Sequence, residues 1–183
     1  MYTIKNKLAD ALENVLLRKS ISKVTITDIV TESGVSRQTF YNNFLDIYDL
    51  LYWTHANRIE EAVNSFYTSN DYCLAFRMAT DIMRKHKVFY RQIILKDGEN
   101  SFQRQFALKN IELCKERILE CSSPISNENL FFYLKLYWYG AAQVIVEWIM
   151  DDMQTEPAEL AILLYNSLPH PLLPFWSTQE TTE

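Results

Sequence analysis

Glycine and proline are scarce: 183 residues contain three glycines, Gly34, Gly98 and Gly140, and five prolines, four of them after residue 150. So few turn formers exclude a turn-rich β-fold and favour long helices. Cysteine is equally sparse. Cys73, Cys114 and Cys121 are odd in number, scattered and without C-x-x-C spacing, which supports neither a disulfide framework nor a structural zinc site and leaves buried thiols. His55, His86 and His170 stand far apart, and none has a second ligand at i+3 or i+4, so no metal site is expected. No stretch approaches the roughly 20 apolar residues of a membrane span and no apolar run follows a basic start, so the expected setting is soluble and cytoplasmic. A Gly-rich phosphate loop, a G-x-S-x-G elbow and an H-E-x-x-H helix are also missing; neither an enzyme nor a bound cofactor is expected.

What is present is apolar surface. Hydrophobic residues make up 48% of the chain, enough for a sizeable core, and the length suits a small head joined to a larger body. The net charge of −5 is unevenly placed: residues 1–58 hold seven Lys/Arg against six Asp/Glu, whereas residues 59–183 hold eleven against seventeen. Acidity therefore belongs to the body and does not argue against a nucleic-acid partner for the head.

Ile4, Leu8, Leu12 and Val15/Leu16 recur at helical spacing and predict an amphipathic first helix ending near Lys19. Thr25-Ile26-Thr27-Asp28 fits a capping box that starts a second helix, Gly34 ends it, and Ser36 caps a third with Phe40 and Phe44 inward. A long helix is predicted from about Tyr48 to residue 68, before Ser69-Asn70-Asp71. Further helices are expected at about 73–86, 87–96, 100–121, 127–152 and 157–168, with breaks at Asp97-Gly98, Ser122-Ser123-Pro124 and Thr155-Glu156-Pro157. The composition after Pro169-His170-Pro171 predicts an irregular tail.

Thr25-Ile26-Thr27-Asp28-Ile29-Val30 and the run from Ser33 to Phe44, followed by Asp46 and Leu50-Leu51, resemble the DNA-binding signature of the TetR family over about residues 3–52. Tyr137-Trp138-Tyr139-Gly140, Glu147-Trp148-Ile149 and Pro157-Ala158-Glu159-Leu160 look like the C-terminal half of many Gram-positive members, and length and pattern are similar to TetR-like activators of dihydroxyacetone kinase operons. The resemblance implies an all-α chain of about nine helices. A three-helix helix-turn-helix head at 1–46 would precede a ligand-binding and dimerisation body at 47–168 and a tail at 169–183. It further implies a homodimer on double-stranded DNA with a palindromic operator, acting as a repressor released by a small apolar or amphipathic effector.

Residue chemistry agrees with that resemblance. Arg37 can donate two bonds to a guanine edge, Gln38 or Asn42 can address adenine, and the Thr39 methyl can touch thymine. Tyr41, Asn43, Thr25 and Thr27 suit phosphate contacts, and Ser36 opens the recognition helix. The family's Lys after Asp46 is replaced by Ile47, which implies one phosphate contact fewer. Few basic residues in the head make two docked heads necessary. For the effector pocket the candidates are Phe102, Phe106, Tyr133 and Tyr137, among aromatics that otherwise form core or interface. Two other readings stay open: a co-activator working mainly through a protein partner, and a helical ligand-binding protein with a vestigial head.

Overall fold

Four local capping devices set the geometry of the head in the computed structural model, which describes residues 2–69, 71–95, 102–120 and 126–176. Helix α1 (Ile4–Leu16) starts at Thr3, whose hydroxyl accepts from the Asn6 backbone, and buries Leu8, Leu12, Val15 and Leu16. It ends a turn earlier than predicted, and a 3-10 turn at Ile21–Lys23 follows. Helix α2 (Ile26–Ser33) carries the Thr25/Asp28 capping box on both sides, and Gly34 closes it at φ 66°, a conformation that costs a side-chain-bearing residue roughly 1–2 kcal/mol. Ser36 then caps α3 (Arg37–Tyr41), accepting from the Thr39 backbone at 3.0 Å. Asp46 caps the long α4 (Ile47–Ser69) by accepting from the Tyr48 and Asp49 amides at 2.7 and 2.9 Å.

Helix α3 is shorter than its sequence pattern suggests. Phe40 lies on it with no exposed surface, while Phe44 follows its end and is also buried, in edge contact with Trp53 of α4. Ile47, where the family motif has lysine, is half-buried and packs against the core. That position therefore serves the junction between α3 and α4 rather than a phosphate.

The body comprises α5 (Tyr72–Lys85), α6 (Lys87–Ile94), α7 (Phe102–Glu120), α8 (Asn127–Met150) and α9 (Pro157–Asn166). Asp71 caps α5 through the Leu74 amide at 2.8 Å, and Pro157 occupies the first turn of α9, where its missing N–H costs nothing. Helices α7 and α8 pair along their lengths, and α5 is flanked by α4 and α9. The breaks expected at 97–98 and 122–124, with Gly98 and Cys121, lie outside the described residues. Among those described there are nine α-helices, two 3-10 turns and no strand: an all-α chain, as expected.

The C-terminal segment departs from expectation. Its first part is a 3-10 turn, His170–Phe175, and Leu172, Phe175 and Trp176 are buried against the body. Prolines suggested irregularity, but Pro fits the start of a tight helix, and the apolar side chains at 172, 175 and 176 find a core to fill. Arg117 Nε of α7 donates to the Phe175 carbonyl at 3.1 Å and fixes the segment. Residues 177–183 lie outside the described residues.

Charged contacts join head to body. Glu13 of α1 accepts from Arg58 of α4 and meets His86 Nδ1, at the break between α5 and α6, at 2.7 Å. The Ile21 amide donates to Gln92 Oε1 of α6 at 3.2 Å. On the far side, Asp152 after α8 binds Lys87 and Arg91 of α6 at 2.5 and 2.9 Å.

Candidate nucleic-acid interface and ligand groove

The polar residues singled out in the sequence gather on one exposed side of the head. Arg37 reaches Thr27 Oγ1 through one guanidinium nitrogen and Tyr41 Oη through the other, both at 3.4 Å, and lies 5.8 Å from the Tyr41 ring centre. Gln38 donates to Asn42 Oδ1 at 2.9 Å one helical turn on. Thr25, Thr27, Ser36, Gln38, Tyr41 and Asn42 are exposed, whereas Thr39 and Asn43 are half-buried. Several of these groups already hold local partners. Thr25 Oγ1 donates to Asp28, Ser36 and Thr39 share a hydroxyl contact of 2.8 Å, and Asn43 donates to the Thr39 carbonyl. Thr25 and Ser36 thus shape helix starts, and the side chains best placed to meet another molecule are Thr27, Arg37, Gln38, Tyr41 and Asn42.

Electrostatics of the head are largely internal. Arg18 pairs with Glu32 at 2.5 Å and Lys19 with Asp28 at 2.6 Å, and Lys5 lies over the Phe44 and Trp53 rings. The Lys19 ammonium, with bonds from Thr25, holds the Asp28 carboxyl down at about 2.

Behind the head, a groove of about 670 Å³ runs between α4 and α7, walled by Tyr52, Trp53, His55, Phe102 and Phe106 with Lys109 at its edge. It shares Ile59, Val63, Phe106, Asn110 and Leu113 with an inner cavity of about 70 Å³. Of the aromatics proposed for a pocket, Phe102 and Phe106 line the groove. Tyr137 instead faces a shallow cleft between α8 and α9 and donates to the Leu164 carbonyl at 2.8 Å. Tyr133 is half-buried against the core and lines none of the three spaces. Sequence reasoning missed His55 and Trp176 as cavity residues. For Trp176 the signal was its apolar run with Leu172 and Phe175, masked by the prolines.

His55 shares a hydrogen bond with Tyr90 Oη at 3.0 Å and stacks edge-on against Phe102. Burial, aided by the nearby Arg58 charge, pushes its imidazole down from 6.5 to about 4. Unfolded chains therefore take up this proton first as pH falls: the stabilisation is complete above about 6.5 and is lost between about 6.5 and 4. Urea unfolding should show a drop of about 2 kcal/mol between about pH 7 and pH 5 that His55→Gln lacks. Equal pH profiles for the two proteins would mean that His55 titrates normally.

The TetR family described as the transcriptional regulator C-terminal region matches residues 74–170, and the chain belongs to this family of transcriptional regulators. Among curated proteins it is 26% identical over 94 residues to the HTH-type dhaKLM operon transcriptional activator DhaS of Lactococcus lactis subsp. lactis strain IL1403. That match covers 49% of this chain, which spans about half (48%) of the relative's length. Among solved structures, the dihydroxyacetone kinase operon activator DhaS superposes with a TM-score of 0.68 at 18% identity, over 94% of this chain and 98% of that one. The TetR family repressor AlkX from Dietzia sp. strain DQ12-45-1b, implicated in biodegradation of n-alkanes, gives 0.50 at 19% identity over 93% and 96%. Both share the fold. No described helix is long and apolar enough to cross a membrane.

Proposed function

We propose that the protein is a homodimeric, operator-binding transcription regulator whose affinity for DNA is set by a ligand in the α4–α7 groove. The observation that carries this reading is the exposed set Thr27, Arg37, Gln38, Tyr41 and Asn42, held on one face by a capped turn and backed by the fully buried Phe40. Such a face can lie in a major groove, with Arg37 and Gln38 or Asn42 at base edges and Thr27 and Tyr41 near phosphates. Two heads spaced about 34–36 Å apart would require a palindromic site.

Dimerisation is assigned to α8 and α9. Leu136, Val144, Ile162 and Leu163 are exposed there, and Gly140 and Ala141 line the cleft between them, so that a second copy can approach closely. With effector bound, the favoured conformation would set the heads at the wrong spacing, giving release and a repressor's response.

Activation through a protein partner is the second reading, favoured by two observations. Lys5, Arg18 and Lys19, half of the basic side chains of the head, are engaged internally, and the named relative is an activator. Selection of random duplexes at low salt decides between them. A palindrome should be enriched by the wild-type protein and lost with Arg37→Ala and Tyr41→Ala, with a shallow dependence of log affinity on log salt. No enrichment at all would sink operator binding by this chain alone.

A further inference from the structure

Two indole donors at the inner cavity lack an oxygen or nitrogen acceptor among the described residues. Trp138 of α8 and Trp176 after the C-terminal 3-10 turn are each 2% exposed and both belong to the cavity wall; the Trp176 Nε1–H makes no hydrogen bond to a described residue, and that of Trp138 meets only the Cys114 sulfur. By contrast Trp148, outside the cavity, donates to the Thr155 carbonyl at 2.9 Å. The Cys114 thiol that the Trp138 indole meets is kept neutral by burial, which pushes it up to about 12, and neutral sulfur is a weak acceptor. A buried donor left unmatched costs on the order of 1–3 kcal/mol, so one unmatched donor and one held only by sulfur at the same cavity mark a place where an oxygen acceptor would be favoured.

The other polar side chains of the wall have protons already engaged, and none of those described carries a charge. Tyr137 gives its proton to the Leu164 carbonyl, so Tyr72 must be the donor in the 2.6 Å contact between their hydroxyls. Thr80 donates to the Phe76 carbonyl and the Asn110 amide to that of Phe106. Among the described residues no Asp, Glu, Lys, Arg or His lines the inner cavity, although Asp49, Glu60 and Lys109 line the outer groove. An ionised ligand group would lose its hydration there without a counter-charge.

We propose that the inner cavity takes the oxygen end of an uncharged amphipathic ligand, a ketone, aldehyde or ester carbonyl, with the indole N–H groups of Trp138 and Trp176 as its donors. The apolar remainder passes Phe106 and Leu113 into the outer groove. Size suits that division: the inner cavity, about 70 Å³ against about 670 Å³ for the groove, admits a carbonyl end and leaves the longer apolar part to the groove. This inference rests on the groove being the ligand site proposed above, and it names the chemistry recognised there.

Nitrogen-15-labelled full-length protein provides the test, since the chain has four tryptophans and hence four indole N–H signals. The probes are 2-heptanone, its near-isostere 2-methyl-1-heptene, and hexanoate. Titration with 2-heptanone should move the Trp138 and Trp176 signals downfield and saturably, leave Trp148 in place, and bind at least about tenfold more tightly than the alkene. Equal affinity for ketone and alkene, tighter binding of hexanoate, or movement of the Trp53 signal alone would each overturn the assignment. So would no movement of any signal. Operator binding is measured separately on the same protein. Ketone binding without any change in DNA affinity removes the effector reading and leaves the indole site standing; DNA binding with no response of Trp138 and Trp176 removes the indole site alone.

Discussion

Replacing Glu13 by alanine is expected to lower the melting temperature by roughly 6–12 °C. Glu13 is the shared partner of Arg58 and His86, and the Arg58 and Glu13 side chains retain only 13% and 24% of their exposure. The Arg58 guanidinium lies 4.5 Å from the Phe89 ring centre, and its Nη1 is already buried without a partner. Removing the carboxylate would strand a cation that cannot turn to water. Breaking a buried pair from one side costs about 3–5 kcal/mol; the residual exposure places this case near 3, and a chain of this size loses about 2–4 °C per kcal/mol. Differential scanning calorimetry checks it, and a shift under about 2 °C would show that solvent reaches Arg58 freely. The same variant removes the link from α1 to the α5–α6 break, so its DNA affinity should no longer respond fully to a groove ligand.

Second in size is the effect of charging the α8–α9 face. Leu136 and Leu163 are 62% and 53% exposed, so Leu136→Glu with Leu163→Glu should leave the fold of one chain stable to within about 1 kcal/mol. On the proposed dimer the pair would place four carboxylates in an apolar interface, and the expected product is a folded monomer. DNA affinity should then fall by about 10²–10⁴, the usual advantage of tethering two heads. Sedimentation velocity and a binding titration on the same samples measure both quantities. A double variant that stays dimeric and keeps its operator affinity would move the interface elsewhere.

Local chemistry makes much of the head legible in the amino-acid sequence. The Thr25/Asp28 box, the left-handed Gly34 and the Ser36 cap each depend on residues within three or four positions, and all three occur where their spacing puts them. Helix existence in the body follows from periodicity, and helix ends move by at most two residues. What could not be read is non-local. Glu13 meets His86 across 73 positions, Tyr72 meets Tyr137 across 65, and nothing in either neighbourhood encodes the partner. Aromatic content alone could not divide core from cavity, so Phe106 was within reach of inference while Trp138 and Trp176 as paired donors were not. Ile47 shows the reverse: its departure from a motif is visible, but only packing explains what took the lysine's place.

The turn after α8 carries a further consequence. Asp152 and Met153 both hold positive φ, 64° and 56°, a conformation that glycine takes without cost and other residues take at roughly 1–3 kcal/mol each. Met153 is anchored by burial and by its amide on the Trp148 carbonyl at 2.8 Å, whereas Asp152 is the sole acidic group joining Lys87 and Arg91 of α6 in the described contacts. A directed-evolution screen for heat resistance would find Asp152→Gly attractive for its relaxed backbone, and would cut the tether of α6 in the same step. Backbone ease and side-chain pairing compete at this one position, and the present residue keeps the pairing.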